Sequence, residues 1–296
     1  MKSFTAIQGM GSSDIEALVD AASGLRDSLD MGDRVEQALD GRCVANLFFE
    51  PSTRTRLSFD LAAQRLGAHV LTLFPETSSS LKGESLQDTA ITVAGIGADV
   101  LVVRHKDDGV PQMVAEWTGL PVVNAGDGAH EHPTQALVDL VTLKRRFGSL
   151  SGLRVGIVGD IAHSRVAGSL NHGLPALGAD LRLIAPEKWL PTETNLATTD
   201  DLDSVVSDLD VVYLLRVQTE RGGLIDEDYV NRFGMDSDRA ARLHDGAVIM
   251  HPGPINRGVE LTNEVADSPR SLIVEQVRNG VPARMAVLRT LMVTIP

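Results

Sequence analysis

The chain has 296 residues, 27 Lys and Arg against 40 Asp and Glu, a formal net charge of −13 and one cysteine. That length suits two ordinary α/β-sized domains, and a 43% hydrophobic, 23% charged composition excludes a disordered chain. A single Cys excludes a disulfide framework and a zinc–thiolate cage, and the acidic balance argues against nucleic-acid or anionic-membrane partners.

Along the chain, Ser13 and Glu16 have the spacing of a capping box, followed at helical intervals by Ile15, Leu18, Val19, Ala22, Leu25 and Leu29. A buried strand is predicted over Val44–Phe49 and a helix from about Arg54 to Leu66, closed by Gly67. Strands follow at Val70–Phe74, Val100–Val103 and Val122–Asn124, with helices near 84–95 and 110–118. Pro133 suits the first turn of a helix to about Phe147, since its missing N–H is not needed there. Gly148–Gly152 reads as a connection. A second series then begins with strand Val155–Val158, helix Arg165–Leu177, and strands Leu181–Ile184, Val211–Leu215 and Ala247–Met250. The final helix is expected over about 282–294. The alternation predicts two doubly wound α/β domains with mainly parallel sheets. No stretch reaches the roughly 18 apolar residues of a membrane span, and the start lacks a signal peptide's apolar region, so a cytoplasmic location is expected.

Most motif-bearing strand ends carry arginine. Glu50-Pro51-Ser52-Thr53-Arg54-Thr55-Arg56 opens a helix with three hydroxyls and two guanidiniums, which points to an anion site, most naturally for phosphate. Capping alone would need one hydroxyl. Ser78-Ser79-Ser80-Leu81-Lys82 has the composition of a surface loop. Arg104 ends a strand, where it can meet an anion or pair with a neighbour. His130-Glu131-His132-Pro133-Thr134-Gln135 lacks a third convergent metal ligand, so hydrogen bonding to a polar substrate is the better reading, with no metal and no cofactor. Gly159-Asp160-Ile161-Ala162-His163-Ser164-Arg165 lacks dinucleotide glycine spacing. Arg216-Val217-Gln218-Thr219-Glu220-Arg221 supplies two more guanidiniums, and His251-Pro252-Gly253-Pro254 forms a rigid turn.

This ordered set resembles the transcarbamylase family over essentially the full length, and within it the aspartate carbamoyltransferase branch. The His-Cys-Leu-Pro and Ser-Met-Gly segments usual in ornithine-using members do not occur. The resemblance implies carbamoyl phosphate and L-aspartate as substrates, with the active site at the domain cleft. It assigns Ser52, Thr53, Arg54, Thr55 and Arg104 to phosphate, and Thr55, Arg104 and His132 to polarising the carbamoyl oxygen. Gln135 and the carbonyls around Gly253 and Pro254 would receive the carbamoyl NH2; Arg165 would take the α-carboxylate, and Arg216 with Gln218 the side-chain carboxylate. Ser78 and Lys82 would reach in from a neighbouring subunit, which implies a homotrimer with shared sites; a regulatory chain or a dihydroorotase would be a further partner. It also implies a carbamoyl-phosphate domain of residues 1–147 plus the last helix (about 282–296), an aspartate domain of 148–281, and a closure contact from Glu50 to Arg165 and Arg221. Gly168 departs from the Arg of many bacterial members. The rival readings are a carbamoyltransferase for another amino acid and a catalytically silent structural subunit. The net charge is no obstacle to two small anions, because a cleft can focus the potential of Arg54, Arg56, Lys82, Arg104, Arg165, Arg216 and Arg221 whatever the global sum.

Overall fold

Residues 1–74, 83–217 and 227–292 are described by the structure, a computed structural model. Ser78, Lys82, Gln218 and Arg221 lie outside the described residues.

In chain order the first series is α1 (Ser12–Met31), β1 (Cys43–Phe48), α2 (Thr53–Arg65), β2 (His69–Leu73), α3 (Leu86–Ile96), β3 (Val100–His105), α4 (Val110–Thr118), β4 (Val122–Asp127) and α5 (Pro133–Phe147). The second is β5 (Arg154–Val158), α6 (Arg165–Ala176), β6 (Asp180–Ile184), β7 (Ala197–Thr199), β8 (Val211–Leu214), α7 (Glu227–Phe233), α8 (Ser237–Arg242), β9 (Val248–Met250), α9 (Asn263–Ala266) and α10 (Ile273–Met292). All strand pairs are parallel, in the orders β2-β1-β3-β4 and β7-β6-β5-β8-β9. The chain divides into two compact units, Met1–Val141 with the chain from Val277 on, and Thr142–Gln276.

Strands buried on both faces need continuous apolar runs, and the central strands supply them. Val100 to Val103 and Val211 to Leu214 are fully enclosed. In the first unit Ala45, Leu47, Leu101, Val103 and Val122 pack against Ala90 and Val93 of α3 and Val110 and Val114 of α4. In the second, the Trp189 ring lies tilted on Tyr229, which stacks on Phe233, with ring centroids 4.8 and 5.4 Å apart. Gly156 in β5 has no room for a side chain: a Cβ there would stand 2.6 Å from Leu209 and 2.8 Å from Ile184.

Two expectations need correction. Ser13 and Glu16 do not form a capping box: α1 is already helical at Ser12, so its N-cap is Gly11, which has no side chain to cap with. The last helix begins at Ile273, not near 282, and Pro282 lies inside it. Pro133, by contrast, does open α5, where no N–H is required. The short elements β7, α7, α8 and α9 were not expected; at three to seven residues each, none spans enough sequence to show a period.

Candidate active site

Each sheet has one point at which the chain switches direction across it. In the first, β1 is flanked by β2 on one side and β3 on the other; in the second, β5 is flanked by β6 and β8. In open parallel sheets ligands bind beyond the carboxyl ends of the two strands at such a switch. The segments leaving those ends are Glu50–Arg56 after β1, Arg104 in β3, Gly159–Arg165 after β5, and Arg216 after β8. Elementary topology thus selects four of the predicted motifs.

The first unit's groups gather around the start of α2. Ser52 is its N-cap, with extended backbone, yet its hydroxyl makes no capping hydrogen bond. No acidic residue stands in the first turn, where Arg54 and Arg56 stand instead. The contrast with α3 is direct: there Ser85 accepts from the Asp88 N–H and the first turn carries Asp88. An uncapped helix start with cationic side chains has its N–H groups and positive dipole end available to an external anion. Thr53 and Arg54 are exposed and Thr55 is buried. The Ser58 hydroxyl donates to the carbonyls of Arg54 and Thr55, at 2.7 and 2.9 Å, which fixes the first turn. A recess beside it is lined by Phe48, Glu50, Pro51, Ser52, Arg56, Leu73 and Phe74, and the Arg56 guanidinium lies 5.0 Å from the Phe74 ring centroid.

Arg104 sits where the β3–β4 register shifts, between Val103 and His105. Such irregularities re-aim a side chain. Its guanidinium donates to the Ala125 carbonyl at 3.1 Å and lies 3.6 Å from a Glu50 carboxylate oxygen. Both readings of Arg104 therefore meet here: it is at the strand end an anion would approach, and it has an acidic neighbour. Next to it, burial pulls the His105 imidazole below its ordinary range against the opposing charge of Asp107.

The loop between β4 and α5 is held by two buried carboxylates. Asp127 accepts from the Gly109 N–H (2.7 Å), the Asn124 amide (2.7 Å) and the Glu131 N–H (3.1 Å). Glu131 accepts from the N–H groups of Ile7 and Gln8. His130 faces Asp127 at 3.1 Å, whereas buried His132 has the Thr134 hydroxyl 3.4 Å from its Nδ1. The His-Glu-His triplet thus diverges in three directions. With its proton on Nε2, the imidazole can accept from the Thr134 hydroxyl at Nδ1 and donate to a carbonyl. Gln135, in the first turn of α5, donates from Nε2 to Asp139 at 3.0 Å.

In the second unit, Arg165 is the first residue of α6, whose N-cap Ser164 accepts from the Ala167 N–H at 3.3 Å. Asp160 is buried and lies 2.7 Å from His163. Arg216 is half-buried just beyond β8. The turn Pro252–Pro254 contains a cis Gly253–Pro254 bond and is tied back by the Gly253 N–H donating to His251 Nδ1 at 2.8 Å.

Glu260 was missed by the motif reading. Buried to 1% exposure, it accepts from the Val217 N–H (2.9 Å), the Asn256 N–H (2.7 Å) and the Asn256 amide (2.7 Å), and lies 3.7 Å from His251 Nε2. One carboxylate thereby joins the segment bearing Arg216 to the His251–Asn256 turn. Its only trace in the sequence is an acid between Val259 and Leu261, a weak signal.

Two parallel α/β units, each with cationic motifs at its switch point, define a two-domain protein built to bind small anions. The chain belongs to the aspartate/ornithine carbamoyltransferase family: its carbamoyl-P binding domain model matches residues 2–145 and its Asp/Orn binding domain model residues 151–291. Within that family the chain is 52% identical over 267 residues to the aspartate carbamoyltransferase catalytic subunit of Salinispora tropica, covering 86% of each chain. Aspartate transcarbamoylase from Trypanosoma cruzi, solved with carbamoyl aspartate and phosphate, superposes with a TM-score of 0.90 at 33% identity over 98% of this chain and 95% of that one. Ornithine carbamoyltransferase from Pyrococcus furiosus reaches a TM-score of 0.91 at 28% identity, over 100% and 98%. The fold is therefore common to both branches, and the sequence separates them.

Proposed function

We propose that the chain transfers the carbamoyl group of carbamoyl phosphate to the amine of L-aspartate, giving N-carbamoyl-L-aspartate and phosphate, a step of pyrimidine biosynthesis. The observation that carries this reading is the uncapped, acid-free start of α2 at the switch of the first sheet, matched by Arg165 and Arg216 at the switch of the second. The aspartate-using relative at 52% identity decides the acceptor.

Ser52, Thr53, Arg54 and Thr55, with Arg104, bind the phosphate; Thr55, Arg104 and His132 donate to the carbamoyl oxygen. Arg165 and Arg216, with Gln218, hold the two carboxylates of aspartate. The amine lone pair attacks the carbonyl carbon, and the resulting oxyanion is stabilised by these fixed donors. Collapse breaks the C–O bond to phosphate, whose departing charge meets the helix start and the guanidiniums, and the ammonium proton passes to phosphate or solvent. Removing one such donor typically lowers turnover by about 10²–10³. Positioning of two bound reactants supplies much of the remainder.

The active unit in this reading is a cytoplasmic homotrimer in which Ser78 and Lys82 serve a neighbouring subunit's site. Exposed Leu57, Leu61 and Phe74 around α2 and β2, and Ile91 and Ile96 on α3, support association of copies. A solution mass near three times 31.7 kDa, or a multiple of it, is expected. The deciding experiment is a carbamoylation assay with aspartate, ornithine and other amines beside Arg54→Ala and Arg216→Ala. Turnover of ornithine and not aspartate refutes the assignment.

A further inference from the structure

A carboxamide has two ends of nearly equal shape and opposite hydrogen-bonding character. Gln135 can serve as an acceptor for the carbamoyl NH2 only if its oxygen, not its own NH2, faces the substrate. The structure supplies what decides this. Gln135 Nε2 donates to Asp139 Oδ1 at 3.0 Å, one turn further along α5, and Asp139 has no exposed surface. An ionised carboxylate accepts and cannot donate, so the amide NH2 must face it and Oε1 turns the other way.

That logic holds only while Asp139 stays ionised, and an enclosed carboxylate does so only near a compensating charge. Arg284 of α10 provides it. Its side chain is buried, its guanidinium lies 5.2 Å from the Phe59 ring centroid, and one nitrogen donates to the Gly280 carbonyl at 2.8 Å. Burial pulls its pKa down to about 10 against the opposing pull of Asp139, and Arg54 adds to the lowering, so it remains a cation at neutral pH. A neutral acid at position 139 could donate to Oε1 and reverse the amide.

We propose that Asp139, backed by Arg284, is a positioning residue that fixes the Gln135 carboxamide with its oxygen outward, and so selects acyl phosphates bearing NH2 over those bearing a methyl group. This inference rests on the assignment of Gln135 as the carbamoyl NH2 acceptor.

The test compares the KM for carbamoyl phosphate with the Ki of acetyl phosphate, its methyl analogue, at saturating aspartate. The enzymes are wild type, Gln135→Ala, Asp139→Asn, and the double variant Asp139→Asn/Arg284→Gln, which removes both buried charges together and serves where the single Asn variant does not fold. The expected result is a loss of discrimination of about ten-fold in Gln135→Ala and in both position-139 variants, the scale of one hydrogen bond. A purely structural role would weaken both ligands alike and leave the ratio at the wild-type value. If the position-139 variants keep the wild-type ratio while Gln135→Ala loses it, the positioning role is overturned and the Gln135 assignment stands. If Gln135→Ala keeps the ratio too, the assignment itself fails and the inference falls with it.

Discussion

The two units bring cations to their sheet switch points by different physical means. In the first, the receptive feature is the start of a regular helix: backbone N–H groups at α2, with Ser52 left uncapped, need no organiser beyond the helix itself. In the second, Arg216 and the His251–Asn256 turn lie on irregular chain, and a single buried carboxylate, Glu260, ties them together. The difference teaches that a helix terminus presents donors as a by-product of folding, whereas loop-borne recognition is only as good as its internal anchor. The two halves should accordingly fail in different ways.

The largest effect is expected from Glu260→Ala. It leaves the N–H groups of Val217 and Asn256 without their acceptor, and the Asn256 amide with the longer bond to the Val217 carbonyl at 3.4 Å. Losing one partner of such a network costs about 3–5 kcal/mol. Urea unfolding should show this loss, and steady-state kinetics should show the KM for aspartate rising through the loosened Arg216 segment, with a smaller rise for carbamoyl phosphate through the Gly253–Pro254 turn. Equal rises in both would break the distinction between the halves.

Ser52→Ala makes the opposite comparison. Removing a working N-cap costs about 1 kcal/mol. Ser52 makes no capping bond, so stability should change by less than about 0.5 kcal/mol, while the KM for carbamoyl phosphate rises about ten-fold with the lost ligand contact. A stability loss of ordinary capping size, with KM unchanged, would make Ser52 a structural residue. The reference variant is Ser164→Ala at α6, where the hydroxyl does accept from Ala167 and a normal capping loss is expected.

The second unit also carries the clearer acid sensitivity. The Arg239 hydrogen bond, helped by the Arg242 charge, holds the Asp203 carboxyl below its usual range despite partial burial. Burial works against ionisation of Asp210, and hydrogen bonds from Arg154 outweigh it, so that group is also depressed. Both folded values lie below the unfolded ones. Their stabilisation is therefore complete above the unfolded pKa of about 3.9 and is lost as pH falls through the folded values. The Asp203 side chain is 46% exposed, so screening limits its share to about 1 kcal/mol or less. Asp203→Asn should lower stability at pH 7 by that share, about 1 kcal/mol or less, and flatten the profile between about pH 4 and 2, where the two proteins converge; added salt should mimic part of that change in the wild type.

These contrasts follow the line between what the sequence reveals and what it does not. The enclosed parallel strands are legible because burial on both faces demands apolar runs such as Val100–Val103. The Glu50–Arg56 segment stands out in the sequence because three hydroxyls and two guanidiniums at a helix start exceed what capping needs. Glu260 is not: a buried acid acquires its meaning from partners 4 and 43 positions away, at Asn256 and Val217. Asp139 is hidden for the same reason, since Arg284 is distant in the chain. The start of α10, expected near 282, lies earlier at Ile273, because packing holds the helix on both sides of Pro282: Gln276 and Asn279 before the proline are buried, as are Ala283 and Met285 after it.

The smallest predicted effect isolates the meaning of an uncapped helix start. Neither α1 nor α2 has a side-chain cap, but only α2 stands at a sheet switch with cations in its first turn. At α1 the missing cap should therefore be an unused stability gain. Gly11 has extended backbone at φ −69°, ψ 148°, which serine adopts without strain, and an added Cβ would meet nothing closer than 3.7 Å. The hydroxyl of Gly11→Ser would accept from the Ser13 or Asp14 N–H, and serine would also lower the entropy of the unfolded chain. Together these should add about 0.5 kcal/mol, or roughly 1–2 °C in Tm for a domain of this size, with the KM values for both substrates unchanged. Calorimetry and kinetics on the same preparation check both halves of that statement. A gain in stability accompanied by a change in carbamoyl phosphate KM would mean that α1 is not the neutral control, and that the vacancy at its cap serves the site as the one at α2 does.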